Sequence, residues 1–218
     1  EDVESSWAGV RPLIHEEGKS ASEISRKDEI FESETGLLSI AGGKLTGYRK
    51  MSEKILDRLF KRLQAEQGRE PVKCKTSEID LDGGAFTNAK AVKKYRKALK
   101  EKLKAMGLTS YDAFYLVSNY GKAADAIVEG MDELNDEDLS IRLIRSELRY
   151  CIEHEMCFSL RDFFIIRTGF LYFDIHSISH TFDAILADFQ HFFNWSDEQV
   201  EKETAAMHEE VRKVSVFE

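Results

Sequence analysis

Pro12 and Pro71 are the only two prolines in this 218-residue chain, and proline is the residue that interrupts a helix interior most sharply. Beyond Pro71 the chain is free of that obstacle, which suits a mainly helical body. A short connector through Asp82-Gly83-Gly84 leads into segments whose apolar spacing reads as helices near 88–106, 110–120, 121–131, 139–156, 159–167, 181–193 and 197–213. Asn135-Asp136-Glu137-Asp138 predicts a helix start with Asn135 as the cap and acids against the helix dipole, and Ser159 and Ser196 predict two more. Phe158, Phe163, Phe164, Phe170, Tyr172 and Phe173 are expected to form a dense aromatic core. No period of about 20–50 residues recurs, so a solenoid is excluded.

The region before Pro71 has a different grammar. Runs at Val3–Trp7, Ile30–Ser33 and Leu37–Ala41 read as strands. Met51, Ile55, Leu59 and Leu63, widened by Leu56 and Phe60, predict a helix. Between the last strand and that helix stands Gly42-Gly43-Lys44-Leu45-Thr46, with Thr46 or a neighbour as the expected cap. A strand–Gly-Gly–helix junction aims backbone N–H groups and a positive helix end at one point, which suits a phosphate, a carboxylate or the electron-rich edge of a cofactor ring. Close strand–helix packing asks for glycine equally well, so the junction alone leaves both readings open.

Composition bounds the function. Hydrophobic residues at 42% and charged residues at 33% exclude global disorder. A net charge of −9 argues against nucleic acid as a partner. One segment runs against that average: between Lys90 and Lys104 eight basic residues face only Glu101, giving +7 against −16 for the rest. Val92, Tyr95, Leu99, Leu103 and Met106 form an apolar stripe beneath those charges. Such a helix is a solvated face, an anionic-lipid contact or a seat for an acidic partner. No apolar run approaches the roughly 20 residues that span a bilayer. Cys74, Cys151 and Cys157 lack metal spacing, and the last two read as small buried hydrophobes. His154 has Phe158, not histidine, four residues on, His176 and His180 fall in an expected loop, and Asp132–Asp138 lacks the EF-hand glycine and glutamate; no metal site is expected.

Taken together, Trp7-Ala8-Gly9-Val10-Arg11-Pro12-Leu13, Ser25-Arg26 and Gly42-Gly43-Lys44-Leu45-Thr46-Gly47-Tyr48-Arg49-Lys50-Met51 resemble the FAD-dependent glycerol-3-phosphate dehydrogenases and their oxidase relatives. The likeness continues through Glu147-Leu148-Arg149-Tyr150, Glu153-His154-Glu155-Met156, Leu160-Arg161-Asp162-Phe163-Phe164 and Arg167-Thr168-Gly169. The resemblance implies an α+β fold: the C-terminal strands and helix of an FAD-dependent oxidoreductase in 1–70, then an all-α C-terminal domain in 71–218. The dinucleotide fingerprint G-x-G-x-x-G is absent from the sequence and the chain opens on Glu1-Asp2-Val3, so the expectation is the C-terminal portion of a longer enzyme.

The resemblance further implies oxidation of sn-glycerol 3-phosphate to dihydroxyacetone phosphate by hydride transfer to FAD. Electrons then pass to quinone, or to oxygen in an oxidase, and these residues do not decide between the two. Arg11 and Arg26 match arginines that grip the substrate phosphate, with Arg11 also close to the reacting carbon; read by themselves they are two surface ion pairs. Gly42, Gly43, Lys44, Leu45 and Thr46 match the turn facing the pyrimidine side of the flavin, where backbone donors stabilise charge on the reduced ring. FAD is expected in the intact enzyme and not on this piece, which by itself reads equally as a helical docking or stability module. Gly47, where relatives often carry threonine, and Ile166, where many carry arginine, depart from the pattern. A homo-oligomer, and a cytoplasmic location with peripheral contact at the inner membrane face through Lys90–Lys104, are left open.

Overall fold

A computed structural model of the chain describes residues 3–9, 28–42, 45–80 and 86–217. They divide into two compact units, one of residues 8–79 and one of residues 1–7 with 80–218. The architecture is α+β: a two-stranded antiparallel sheet and a predominantly helical remainder.

In the smaller unit β1 (Glu29–Glu32) pairs with β2 (Leu38–Ala41), Ile30 opposite Ile40 and Phe31 opposite Ser39. A tight turn joins them, with the Gly36 N–H donating to the Ser33 carbonyl at 2.9 Å. Helix α1 (Tyr48–Gln67) lies against this hairpin. Met51, Ile55, Phe60 and Leu63 are half-buried, whereas Leu56 and Leu59 are exposed. Three polar contacts share one sequence offset: Lys54 reaches Asp28 at 3.2 Å, Arg58 reaches Glu32 at 2.8 Å, and Arg62 donates to the Gly36 carbonyl at 2.8 Å. Exposed ion pairs of this kind contribute little, typically about 0–1 kcal/mol each. Among the described residues of this unit none is buried.

The larger unit is the reverse. Its helices are α2 (Ala89–Met106), α3 (Ser110–Tyr120), α4 (Ala124–Gly130), α5 (Leu139–His154), α6 (Phe170–Phe173), α7 (Ile175–Phe193) and α8 (Asp197–Ser215). The apolar stripe of α2 places Leu99 and Leu103 in the core, as its spacing predicts, and Asn88 caps the helix by accepting from the Ala91 N–H at 3.0 Å. Gly107 ends it at φ +97°, a left-handed conformation that glycine adopts without strain. Thr109 and Asp112 open α3 with a reciprocal capping box. One contiguous core follows, with Leu103, Leu116, Ile127, Leu148, Phe163, Phe164, Phe189 and Met207 sealed from solvent. Trp195 stacks on Phe189 at 5.2 Å between centroids.

Several expectations are corrected. Val3–Trp7 is not a strand: the Ser6 N–H donates to the Val214 carbonyl, Ser5 Oγ donates to the Tyr172 carbonyl, and Trp7 rests on Tyr172 and Phe173. Without a neighbouring strand the segment clamps helix ends instead. Asp138, not Asn135, caps α5, accepting from the Ser140 and Ile141 N–H groups, because the helix starts at Leu139 and Asp138 is the residue just before it. His176 and His180 lie in α7, which starts at Ile175 under an Asp174 cap, and not in a loop. His180 Nε2 sits 3.0 Å from Asp138 and ties α7 to the α5 cap. The 159–167 segment becomes a π-helical turn over Asp162–Arg167, with Ser159 accepting from the Asp162 N–H. Phe158 and Phe173 are 55% and 75% exposed, so the aromatic core is made by Phe163, Phe164, Phe170 and Phe189.

Arg145 is the polar hinge of the larger unit. Its guanidinium forks onto Asp188 of α7 at 2.6 and 2.8 Å and onto Asp136 at 2.9 and 3.0 Å. Asp188 is buried. Arg145→Ala strands that carboxylate and is expected to cost about 3 kcal/mol, the lower end of the range because Arg145 is partly solvated. Urea unfolding of wild type and variant measures it; a loss below about 1 kcal/mol contradicts the assigned role.

Candidate functional site

The turn singled out by the sequence starts where β2 ends at Ala41. A Cβ on Gly42 would lie 2.7 Å from Asp28 Oδ1 and 2.9 Å from Met51 Cε, so a side chain there displaces the carboxylate that receives Lys54. This gives Gly42 a packing role of its own. Residues Leu45–Gly47 form a 3₁₀ turn and run straight into α1. Gly47 occupies the N-cap position and no side chain caps the helix, so the expected Thr46 cap is not made. The N-cap position therefore offers no side-chain acceptor to the first N–H groups of α1. Leu45 beside them is 88% exposed. Arg11, Arg26, Gly43 and Lys44 lie outside the described residues.

A second constellation sits inside the helical unit, and sequence reasoning passed over it. Glu147 of α5 is fully buried, and a single carboxyl oxygen, Oε1, accepts from the Tyr115 hydroxyl at 2.6 Å and from the Tyr120 hydroxyl at 2.5 Å. Its other oxygen has no hydrogen-bond partner. Burial pushes the Glu147 carboxyl up to about 7, against the two tyrosine hydrogen bonds, which pull it down. Burial, reinforced by the Glu147 charge, drives both phenols well above their ordinary value. Tyr120 also lies 3.5 Å from Cys151. A signal for this cluster was present: Glu147 falls four residues after Leu143 and four before Cys151, inside the apolar stripe of α5.

The remaining candidates behave as packing groups. Cys151 and Cys157 are buried; burial raises the first thiol well above its usual range and the second to about 12, so neither is a ready thiolate. Arg167 donates to the Glu155 carbonyl at 2.6 Å with its Nε 3.9 Å from the Glu155 carboxylate. Asp162 accepts from the Phe158 N–H at 3.1 Å. Among the described residues no group of three His, Cys, Asp or Glu side chains is placed to hold a metal.

The described residues thus form a small hairpin with a strand-to-helix turn and, in the other unit, a helical body on one core. Residues 74–200, more than half of the chain, match the family model of the C-terminal domain of alpha-glycerophosphate oxidase, and the chain belongs to that family. It is 43% identical over 206 residues to the aerobic glycerol-3-phosphate dehydrogenase of Bacillus subtilis (strain 168), covering 93% of this chain and 37% of that protein. The enzyme of the same name from Staphylococcus haemolyticus (strain JCSC1435) is 42% identical over 200 residues, covering 91% and 36%. The X-ray structure of the glycerol-3-phosphate dehydrogenase from Bacillus halodurans complexed with FAD superimposes with a TM-score of 0.78 at 34% identity, over 100% of this chain and 42% of that one. The chain therefore spans little more than a third of the length of the curated relatives it matches.

The Glu147 cluster makes a pH prediction. The carboxyl titrates near 4.5 when unfolded and near 7 when folded, so the folded form holds its proton longer. Stability from this group is fully present below about pH 4.5 and is lost as pH rises through about 7, by roughly 3 kcal/mol. Glu147→Gln keeps an acceptor for both tyrosines and cannot ionise. Urea titrations between pH 5 and 8 should show the downward slope in wild type and its absence in the variant; parallel slopes refute the assignment.

Proposed function

We propose that the chain is the C-terminal part of a flavoenzyme that oxidises sn-glycerol 3-phosphate to dihydroxyacetone phosphate by hydride transfer to FAD, with electrons passed on to quinone. The observation that carries this is the 43% identity, across 93% of this chain, to an aerobic glycerol-3-phosphate dehydrogenase. On this reading residues 1–70 complete an FAD- and substrate-binding domain and residues 71–218 are the helical C-terminal domain. The absence of any buried residue among those described in 8–79 supports the division, because a hairpin and one amphipathic helix need a further apolar layer to build a core.

On this reading the turn after β2 faces the flavin. Bound FAD supplies the hydride acceptor, and the uncapped N–H groups at the start of α1 suit the electron-rich pyrimidine edge of its ring. In this proposal Gly42, Gly43, Lys44, Leu45 and Thr46 line that edge, with Lys44 adding a full charge. Arg11 and Arg26 hold the substrate phosphate, each able to offer a forked pair of donors to a dianion. Arg11 additionally orients the carbon that is oxidised.

Oxygen as the acceptor is the second reading, favoured by the match to an oxidase C-terminal domain. Peripheral contact with the inner face of the membrane, through the basic face of α2, serves the quinone reading. None of the described helices is long and apolar enough to cross a bilayer.

Anaerobic reduction of the intact enzyme with glycerol 3-phosphate, followed by reoxidation with a quinone analogue or with air, separates the acceptors: quinone should act fast and air slowly, and rapid reoxidation by air alone defeats the dehydrogenase assignment. In the same enzyme Arg26→Ala is expected to raise KM by roughly tenfold to a hundredfold with kcat less affected, whereas Arg11→Ala should lower kcat as well. Steady-state kinetics over both variants test this, and unchanged KM in Arg26→Ala removes the phosphate role.

A further inference from the structure

Helices α2 and α3 pack against each other and leave a cleft of about 590 Å³ between their outer faces. Lys93, Arg96, Lys97 and Lys100 of α2 line one wall at spacings of three, one and three, which puts all four on one helix face. Ser110 and Phe114 of α3 line the other, and Glu101 is the only acid in the lining. Elsewhere in this unit Arg145 and Arg149 of α5 and Arg212 and Lys213 of α8 have acidic partners, in Asp188, Glu133, Glu209 and Glu210 respectively. Lys93, Lys97 and Lys100 form no salt bridge with any described residue. In a chain of net charge −9 this is a concentration of unneutralised positive charge in a concave place.

The cleft also carries orientation. The Arg96 guanidinium lies over the Phe114 ring at 5.5 Å from its centroid, which restrains the donor fork. Tyr111 and Phe114 are neighbours on α3, 6.4 Å apart, and are 61% and 49% exposed. An exposed aromatic pair bordering a bed of cations has the composition of a membrane–water interface, where rings sit at headgroup depth and lysines meet the phosphates. A groove that converges four cations favours a doubly charged phosphomonoester over a singly charged phosphodiester.

We propose that the α2–α3 cleft is a receptor for the phosphomonoester headgroup of an anionic lipid, with Lys93, Arg96, Lys97 and Lys100 holding the phosphate and Tyr111 and Phe114 seated among the lipid headgroups. This rests on the membrane reading above and makes that contact headgroup-selective instead of a diffuse attraction of opposite charges.

The test is co-flotation of the full chain with vesicles of phosphatidylcholine alone, or doped with phosphatidic acid or phosphatidylglycerol at matched surface charge. Binding is expected to favour phosphatidic acid, and Lys97→Ala/Lys100→Ala to lose roughly fivefold in affinity per lysine together with that preference. Lys90→Ala/Lys94→Ala, which removes the same charge outside the cleft, should keep the preference. Equal binding to the two charge-matched vesicles, or loss of the preference in both variants, overturns the headgroup site while leaving a general membrane contact standing. No binding to any vesicle overturns both.

Discussion

Burial of apolar surface on one contiguous core is the constraint from which the helical unit follows. Leu99 and Leu103 from α2, Leu116 from α3, Ile127 from α4, Leu148 from α5, Phe189 from α7 and Met207 from α8 all enter it. Each helix contributes a stripe too narrow to be stable by itself, and mutual burial is what holds the ends, caps and ion pairs in place. Among the described residues of 8–79 none is buried. There the hairpin and α1 meet through Lys54–Asp28, Arg58–Glu32 and Arg62–Glu32, contacts too weak to order a domain unaided. This contrast supports the proposed division of the chain.

The same core explains the polar exceptions inside it. Glu147 is carried into the interior because it occupies an apolar register of α5, and Tyr115 and Tyr120 arrive from α3 to meet it. Two hydroxyls on one oxygen satisfy half of the carboxyl and leave the other oxygen without a partner. Neutralisation by a retained proton is the least costly solution for a group so placed. Arg145 follows the other route, keeping its charge and matching it with Asp136 and Asp188.

Much of the helical unit was legible from its residues. The basic stripe of α2 runs where its period predicts, and Ser196 caps α8 as its position before Asp197 and Glu198 implies. Errors cluster where a local signal has two acceptable readings. Asn135 and Asp138 are both sound caps, and the helix begins at Leu139, which leaves Asp138 as the cap. Phe158 and Phe173 carry the same ring as Phe163 and Phe164, yet Phe158 lies in the loop after α5 and Phe173 ends the short α6, and both are exposed. Of the predicted cofactor turn, Gly42, Leu45 and Thr46 can be placed, and the expected Thr46 cap gave way to an open helix start at Gly47.

By itself the sequence determined the helical character beyond Pro71, the strand-to-helix turn at Gly42, the position of the basic helix and the family, because all of these are written in neighbouring residues or in short motifs. Only the tertiary structure decided that Glu147 lies buried between two tyrosines, that Val3–Trp7 clamps helix ends and that the cations of α2 share a cleft with Phe114. The reason is range. Period and capping act within about a turn or two of the chain, whereas Glu147 meets Tyr120 across 27 residues and Ser5 meets Tyr172 across 167.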